Sequence, residues 1–291
     1  MFPAAFDYEA PTGIAEAVSL LAGQEDARVL AGGQSLIPLM KLRFAQPSVV
    51  VDIGRISELR RFALTEDMLS IGATVREAEI ENAPDVCRAF PILYDTASVI
   101  ADPLVRNMAT IGGNLAHGDA ENDQPATMIA LDAILVAQGT GSPRTIPAEG
   151  FFHGLYETAL RPAEILTEIR IPTLPQGCGT SYLKVHRQVG DFAIVGVAVR
   201  VSVDRDVVRD SRVVYTGVAA TPQRAAAAED ALRGQRFDTQ LADAAGRAGA
   251  ESLHIRDDLH GTAAYKRRVV RAVTRRALLL AVRRIPNMEA Q

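Results

Sequence analysis

Between Ile171 and Tyr182 the chain carries Pro172, Pro175, Gly177 and Gly179. No helix or interior strand runs easily through such a stretch, because each proline lacks a backbone donor and the glycines favour turns. The break divides 291 residues, enough for about two domains, into unlike parts. Before it, short β-rich runs alternate with short helical patterns. After it come three β-rich runs and then only helices. The expected fold class is α+β. One domain covers residues 1–176, with subdomains of about 1–57 and 58–176, and a second covers residues 177–291 as a sheet followed by helices.

In the first subdomain Thr12 opens a helix whose apolar residues Ile14, Val18 and Leu21 share one face. Arg28-Val29-Leu30-Ala31 reads as a short strand, and Ser48-Val49-Val50-Val51-Asp52-Ile53 as a strand buried on both faces. In the second subdomain Leu69-Ser70-Ile71 is a strand and Thr74 caps a short helix through Glu79. Residues 89–101 are expected as one apolar helix, 110–114 as a loop and 124–131 as a helix. Ile134-Leu135-Val136 and residues 164–171 complete that part as strands. Beyond the break, 182–185, 192–201 and 213–218 are expected strands, and 225–232, 241–253 and 262–284 helices. The last helix sets Val269, Val273, Ala277 and Leu280 inward. It also carries Lys266, Arg267, Arg268, Arg271, Arg275, Arg276, Arg283 and Arg284 with no acid among them, which suits a solvated face or a docking surface for an acidic partner.

Composition excludes several functions. A net charge of -4 and a pI of about 5.8 lack the basic footprint of a general nucleic-acid binder. Aromatic residues make up 5% with no Trp, which leaves no platform for stacked bases. The two cysteines, Cys87 and Cys178, cannot ligate an iron–sulfur cluster, which takes about four. His117 and Asp119, with His153 or His186, set no metal-ligand spacing, so no metal is expected on this chain. No apolar run reaches the roughly 18 residues of a membrane span. The Met1-Phe2-Pro3-Ala4-Ala5-Phe6-Asp7 start has no basic-then-apolar secretory pattern, and a cytoplasmic location is expected.

Two glycine pairs carry the chemistry. Ala31-Gly32-Gly33-Gln34-Ser35-Leu36 follows a strand, and Thr110-Ile111-Gly112-Gly113-Asn114 lies farther on. Without Cβ atoms, consecutive N–H groups can point into one concavity, and Ser35 and Thr110 add hydroxyl donors. Neither segment contains Lys or Arg, so peptide dipoles would have to hold an anion. Neither is a P-loop, and neither is a Rossmann fingerprint.

These segments, taken with their flanks, resemble a known family. Ala31-Gly32-Gly33-Gln34-Ser35-Leu36-Ile37-Pro38 and Ala109-Thr110-Ile111-Gly112-Gly113-Asn114-Leu115-Ala116-His117 resemble the two FAD-binding motifs of the flavoprotein (medium) subunit of molybdenum hydroxylases. That family includes aerobic carbon monoxide dehydrogenases and bacterial dehydrogenases of N-heterocycles, and is similar to the central flavin domain of xanthine dehydrogenase. Leu39-Met40-Lys41-Leu42-Arg43, Val105-Arg106-Asn107, Glu164-Ile165-Leu166-Thr167-Glu168-Ile169-Arg170-Ile171-Pro172 and Gly261-Thr262-Ala263-Ala264-Tyr265-Lys266-Arg267-Arg268 follow in the family's order, so the resemblance covers nearly the whole chain.

The resemblance implies a two-part FAD-binding domain of the PCMH type, closed by the C-terminal domain. It implies that residues 31–36 and 110–114 grip the pyrophosphate. Asp123 falls near the flavin's sugar-alcohol portion, Leu166 and Lys184 line the flavin pocket, and Phe192 shields the ring. Val29, Leu30, Ala101, Ala109 and His117 complete the implied contact set. The partners implied are a large molybdenum-cofactor subunit and a small iron–sulfur subunit, as a dimer of heterotrimers with no catalytic residue on this chain. Electrons would pass from iron–sulfur clusters through FAD to an external acceptor. Gln34, Ala120 and Phe192 depart from the His, Pro and Tyr that many relatives carry at these places. Taken without the resemblance, Asp123 would be a helix cap, Lys184 a solvated strand residue and Phe192 core. Two other functions fit the residues: a self-contained flavin reductase using a nicotinamide donor, and a flavin-free assembly subunit.

Overall fold

The computed structural model describes residues 1–286 as three main sheets in succession, each packed on an apolar core, with one further two-stranded sheet in the middle part. The first contains β1 (Asp7–Glu9), α1 (Ile14–Ala22), β2 (Arg28–Leu30), α2 (Leu36–Lys41) and β3 (Val49–Asp52). Strand β3 lies between the other two and parallel to both, so Val49, Val50 and Val51 are all buried. Helix α1 begins one residue later than Thr12 predicts. Its N-cap is Gly13, and the Thr12 amide donates instead to the Glu16 carboxylate.

The middle part comprises β4 (Phe62–Leu64), β5 (Met68–Gly72), α3 (Glu77–Glu81), α4 (Pro84–Ala89), α5 (Pro91–Ser98), α6 (Pro103–Arg106), α7 (Ile111–His117) and α8 (Gln124–Ala130). It continues with β6 (Ile134–Gln138), β7 (Arg144–Pro147), β8 (Phe152–Gly154), β9 (Glu157–Thr158) and β10 (Ile165–Pro172). Strands β4, β5, β10, β6 and β7 form one antiparallel sheet in that order.

Three expectations fail in this part. The single helix over 89–101 is broken at Phe90, because the residue before Pro91 is pushed out of the helical region. Thr74 does not cap a helix: its hydroxyl donates to the Leu59 carbonyl, and α3 starts after Arg76. Residues 110–114 are not a loop. Thr110 caps α7, which contains both glycines of the second pair.

The last part holds β11 (Cys178–Val185), β12 (Val195–Asp204), β13 (Val207–Thr216) and β14 (Gln223–Arg224) as an antiparallel sheet. Helices α9 (Ala226–Leu232), α10 (Thr239–Ser252) and α11 (Ala263–Arg283) follow. Gly179 belongs to β11 and not to the break, and its missing side chain lets the Ala281 carbonyl of α11 close against the strand. Phe192 precedes β12 and does not join it. Strand β11 alternates between two neighbours. The Ser181 hydroxyl donates to the Ala277 carbonyl of α11, while the Tyr182 and Lys184 side chains turn to the middle part.

The basic run on α11 divides in two. Lys266 pairs with Asp258, Arg271 with Asp243 and Arg284 with Asp95. Arg267, Arg268, Arg275, Arg276 and Arg283 are exposed and make no ion pair among the described residues. No helix of the described residues is long and apolar enough to cross a membrane.

Candidate functional site

The two glycine segments meet. Gly32 lies so close to the Met108 carbonyl and to Ala109 that a side chain there would collide with backbone. A Cβ on Gly113 would sit 3.7 Å from that of Ala31. Residues 31–36 and 109–114, far apart in sequence, therefore form one wall.

The segments offer different groups to a ligand. Among the described residues, the amides of Gly32, Gly33, Gln34, Ser35 and Leu36 make no hydrogen bond within the protein. Gly33 takes φ +75, the left-handed region in which glycine costs least. Gln34 and Ser35 are exposed. The five donors are thus unshared, and the turn that carries them is open to solvent at Gln34 and Ser35.

The amides of the second segment are already used. Ile111 donates to the Val75 carbonyl at 3.0 Å and Gly112 to the Ala73 carbonyl at 3.0 Å. Gly113 donates to Thr110 Oγ1 at 3.2 Å and Asn114 to the Thr110 carbonyl at 2.9 Å. Gly112 lacks a Cβ because Ala73 fills that space, not so that an anion can approach. This corrects the sequence reading in which amides of both pairs converge on one ligand. The second segment contributes side chains instead, and Asn114 Oδ1 is buried with no partner. An orphan acceptor on one of two abutting segments, with five free donors on the other, fits a group carrying both anionic and hydroxyl functions.

A second cluster lies where the middle and last parts join. Asp123 Oδ2 accepts from Lys184 Nζ at 2.8 Å and Asp123 Oδ1 from the Tyr182 hydroxyl at 2.5 Å. Lys184 also donates to the Val99 carbonyl at 3.2 Å. Asp123 stands at the N-cap position of α8 but makes no cap hydrogen bond, so capping does not explain it. Burial pushes its carboxyl above the ordinary range, against the pull of Lys184 and Tyr182. The ammonium of Lys184 is compensated by Asp123, which makes it a partner in a buried pair and not a free cation. Ala101, at φ +42, lies against Gly190, and Phe192 beyond it is 51% exposed.

The remaining predicted residues are dispersed. Val29 and Leu30 are in β2, half-buried behind the first segment. Leu166 is buried in the core of the middle part with Ile111 and Leu115, behind α7. His117 is at the opposite end of α7 from Thr110, its ring packed at a 39° tilt against Tyr156 with centroids 4.9 Å apart. Burial lowers its imidazole pKa, with Asp119 opposing. Sequence reasoning missed Tyr182, Asp95 and Arg284. The Asp95 carboxylate accepts from the two terminal guanidinium nitrogens of Arg284 at 2.5 and 2.8 Å and from the Tyr182 amide at 3.0 Å, tying α5 to the last part. Its one signal was an acid inside an otherwise apolar run.

Residues 4–174 match the family described as the FAD binding domain in molybdopterin dehydrogenase, and residues 180–281 the CO dehydrogenase flavoprotein C-terminal domain. This chain is a FAD-binding subunit of the molybdenum hydroxylase family. Among relatives of these flavoprotein subunits, it is 42% identical over 280 residues to the carbon monoxide dehydrogenase medium chain of Hydrogenophaga pseudoflava, covering 96% of this chain and 97% of the relative. It is 39% identical over 275 residues to the nicotine 6-hydroxylase medium subunit of Paenarthrobacter nicotinovorans, covering 94% and 96%. A solved chain of the Hydrogenophaga pseudoflava carbon monoxide dehydrogenase superposes with a TM-score of 0.95 at 43% identity, over 98% of this chain and all of that one.

Proposed function

We propose that this flavoprotein is the electron-transfer subunit of a molybdenum hydroxylase complex. In this reading it takes electrons from iron–sulfur clusters on a small partner and passes them to an external acceptor. The substrate reacts at a molybdenum cofactor on a large partner, the complex is a dimer of heterotrimers, and it works in the cytoplasm. Bound FAD supplies the redox chemistry.

The chain's own residues bind and enclose. The amides of 32–36 donate to the diphosphate, and the Thr110 hydroxyl and Asn114 carboxamide complete that end. Val29, Leu30, Ala31, Ala109, Ile111, Gly112 and Gly113 build the wall behind it. Asp123, held by Lys184 and Tyr182, addresses the sugar-alcohol portion. Ala101 and Phe192 flank the ring, with Leu166 supporting from the core and His117 closing the far end of α7. The observation that carries this reading is the row of five unshared amides on a segment packed against residues 108–113, which lead into the orphan Asn114 oxygen.

Purification of the chain with its partners tests it through the visible spectrum. Bound FAD in the wild-type complex, and its loss in Gly33→Val, is the expected result. A complex that turns over substrate with no flavin, before or after adding FAD, contradicts it. Turnover by the isolated chain with a nicotinamide donor would instead identify a self-contained reductase.

A further inference from the structure

Beneath the second segment, Glu77 and Gln124 form a pair that the FAD reading leaves without a task. Both are fully buried. Gln124 Nε2 donates to Glu77 Oε2 at 2.7 Å. The other two oxygens of the pair, Glu77 Oε1 and Gln124 Oε1, are buried with no hydrogen-bond partner. Two bare acceptors on paired groups would each lose their water and gain nothing. One proton resolves the conflict. A carboxylic acid facing a carboxamide closes a ring of two hydrogen bonds, N–H to oxygen on one side and O–H to oxygen on the other.

We propose that Glu77 is held as the neutral acid, donating its proton to Gln124 Oε1, and that this closed pair is a positioning element for the FAD site. The first half stands on the orphan oxygens alone, and the second rests on the reading given under Proposed function. The pair joins two predicted FAD contacts. The Glu77 amide donates to the Ala109 carbonyl at 3.0 Å, directly before Thr110. Gln124 follows Asp123, whose carboxylate holds Lys184 and Tyr182.

The surroundings favour the neutral form. The charges that reach Glu77 are Asp123, at the start of α8, and Arg106, from α6. Asp123 opposes ionisation. Arg106 favours it, but its guanidinium is engaged by Glu81 at 2.8 and 3.2 Å and by the Ile100 carbonyl at 3.1 Å. Burial, the largest influence, pushes the Glu77 carboxyl up to about 8.

The test compares wild type, Glu77→Gln and Glu77→Ala as purified complexes, by infrared spectroscopy and by FAD retained after dialysis. Wild type should show the carbonyl band of a protonated acid at neutral pH, which fades above pH of about 8 and is absent in Glu77→Gln. The amide in Glu77→Gln can make the same two bonds, so FAD retention should stay within about twofold of wild type, whereas Glu77→Ala should weaken it about tenfold. Absence of the acid band in wild type, or loss of FAD in Glu77→Gln as severe as in Glu77→Ala, would overturn the proposal. If Glu77→Ala fails to fold, the band and the Glu77→Gln result still decide it. A wild-type complex without flavin would defeat the FAD reading but leave the infrared result standing, so the two failures are distinguishable.

Discussion

The same dipeptide does two different jobs in the two glycine segments. At Gly32-Gly33 the chain bends through a left-handed residue and leaves five amides without partners. At Gly112-Gly113 it enters a capped helix, and each amide from Ile111 to Asn114 has a partner. The first pair makes a surface for a ligand. The second lets α7 pack on Ala73 and so brings Thr110 and Asn114 to that surface. Absence of a Cβ permits close packing at both pairs, and the consequence differs because the amides of the first are unshared while those of the second are taken up by the protein.

The largest effect is expected for Gly112→Val, which drives a side chain into the Ala73 backbone. The chain without FAD should lose about 3 kcal/mol or more in denaturant melts. Gly33→Val should cost about 1–3 kcal/mol through its positive φ, while FAD binding fails outright. Equal effects of the two substitutions on the stability of the FAD-free chain would erase the distinction between the segments.

A pH dependence separates the two segments further, because Glu77 hydrogen-bonds next to the second segment and makes no hydrogen bond to the first. Its folded pKa of about 8 lies above the ordinary 4.5. Between these values the folded chain holds a proton that the unfolded chain has released. Stability is therefore highest below about 4.5, as far as this group goes, falls as pH rises to about 8, and is flat beyond. The loss is a few kcal/mol. Melting temperatures across this range should fall less steeply in Glu77→Gln, and an unchanged slope would contradict the assignment.

The smallest effect on folding belongs to Asn114→Ala. Its Oδ1 has no protein partner to lose, so stability should change by less than about 1 kcal/mol. FAD retention should weaken about tenfold, measured by fluorescence of released flavin. A variant that melts early but keeps its FAD would place Asn114 in the scaffold instead.

Much of the fold is legible because its signals are local. The Thr262 cap and the apolar spacing of Val269, Val273 and Ala277 define α11, and the valine run defines β3. Helix α7 is illegible for a local reason too. Two glycines are poor helix formers, and only packing on Ala73 and Val75, supplied by another part of the chain, overrides them. The site divides likewise. The motifs mark both segments, but no local pattern reveals which amides are free. Asp123 and Lys184 lie 61 positions apart, so their pairing follows from the fold and not from spacing. The Glu77–Gln124 pair, 47 positions apart, leaves no sequence signature at all.

Amide hydrogen exchange, read residue by residue with and without FAD, tests the central claim most directly. The amides of Gly32 to Leu36 should exchange quickly in the FAD-free chain and become strongly protected when FAD binds. Those of Ile111 to Asn114 should be protected in both states. Protection at 32–36 that does not respond to FAD, or fast exchange at 111–114 that FAD suppresses, would contradict the division of labour between the two glycine pairs.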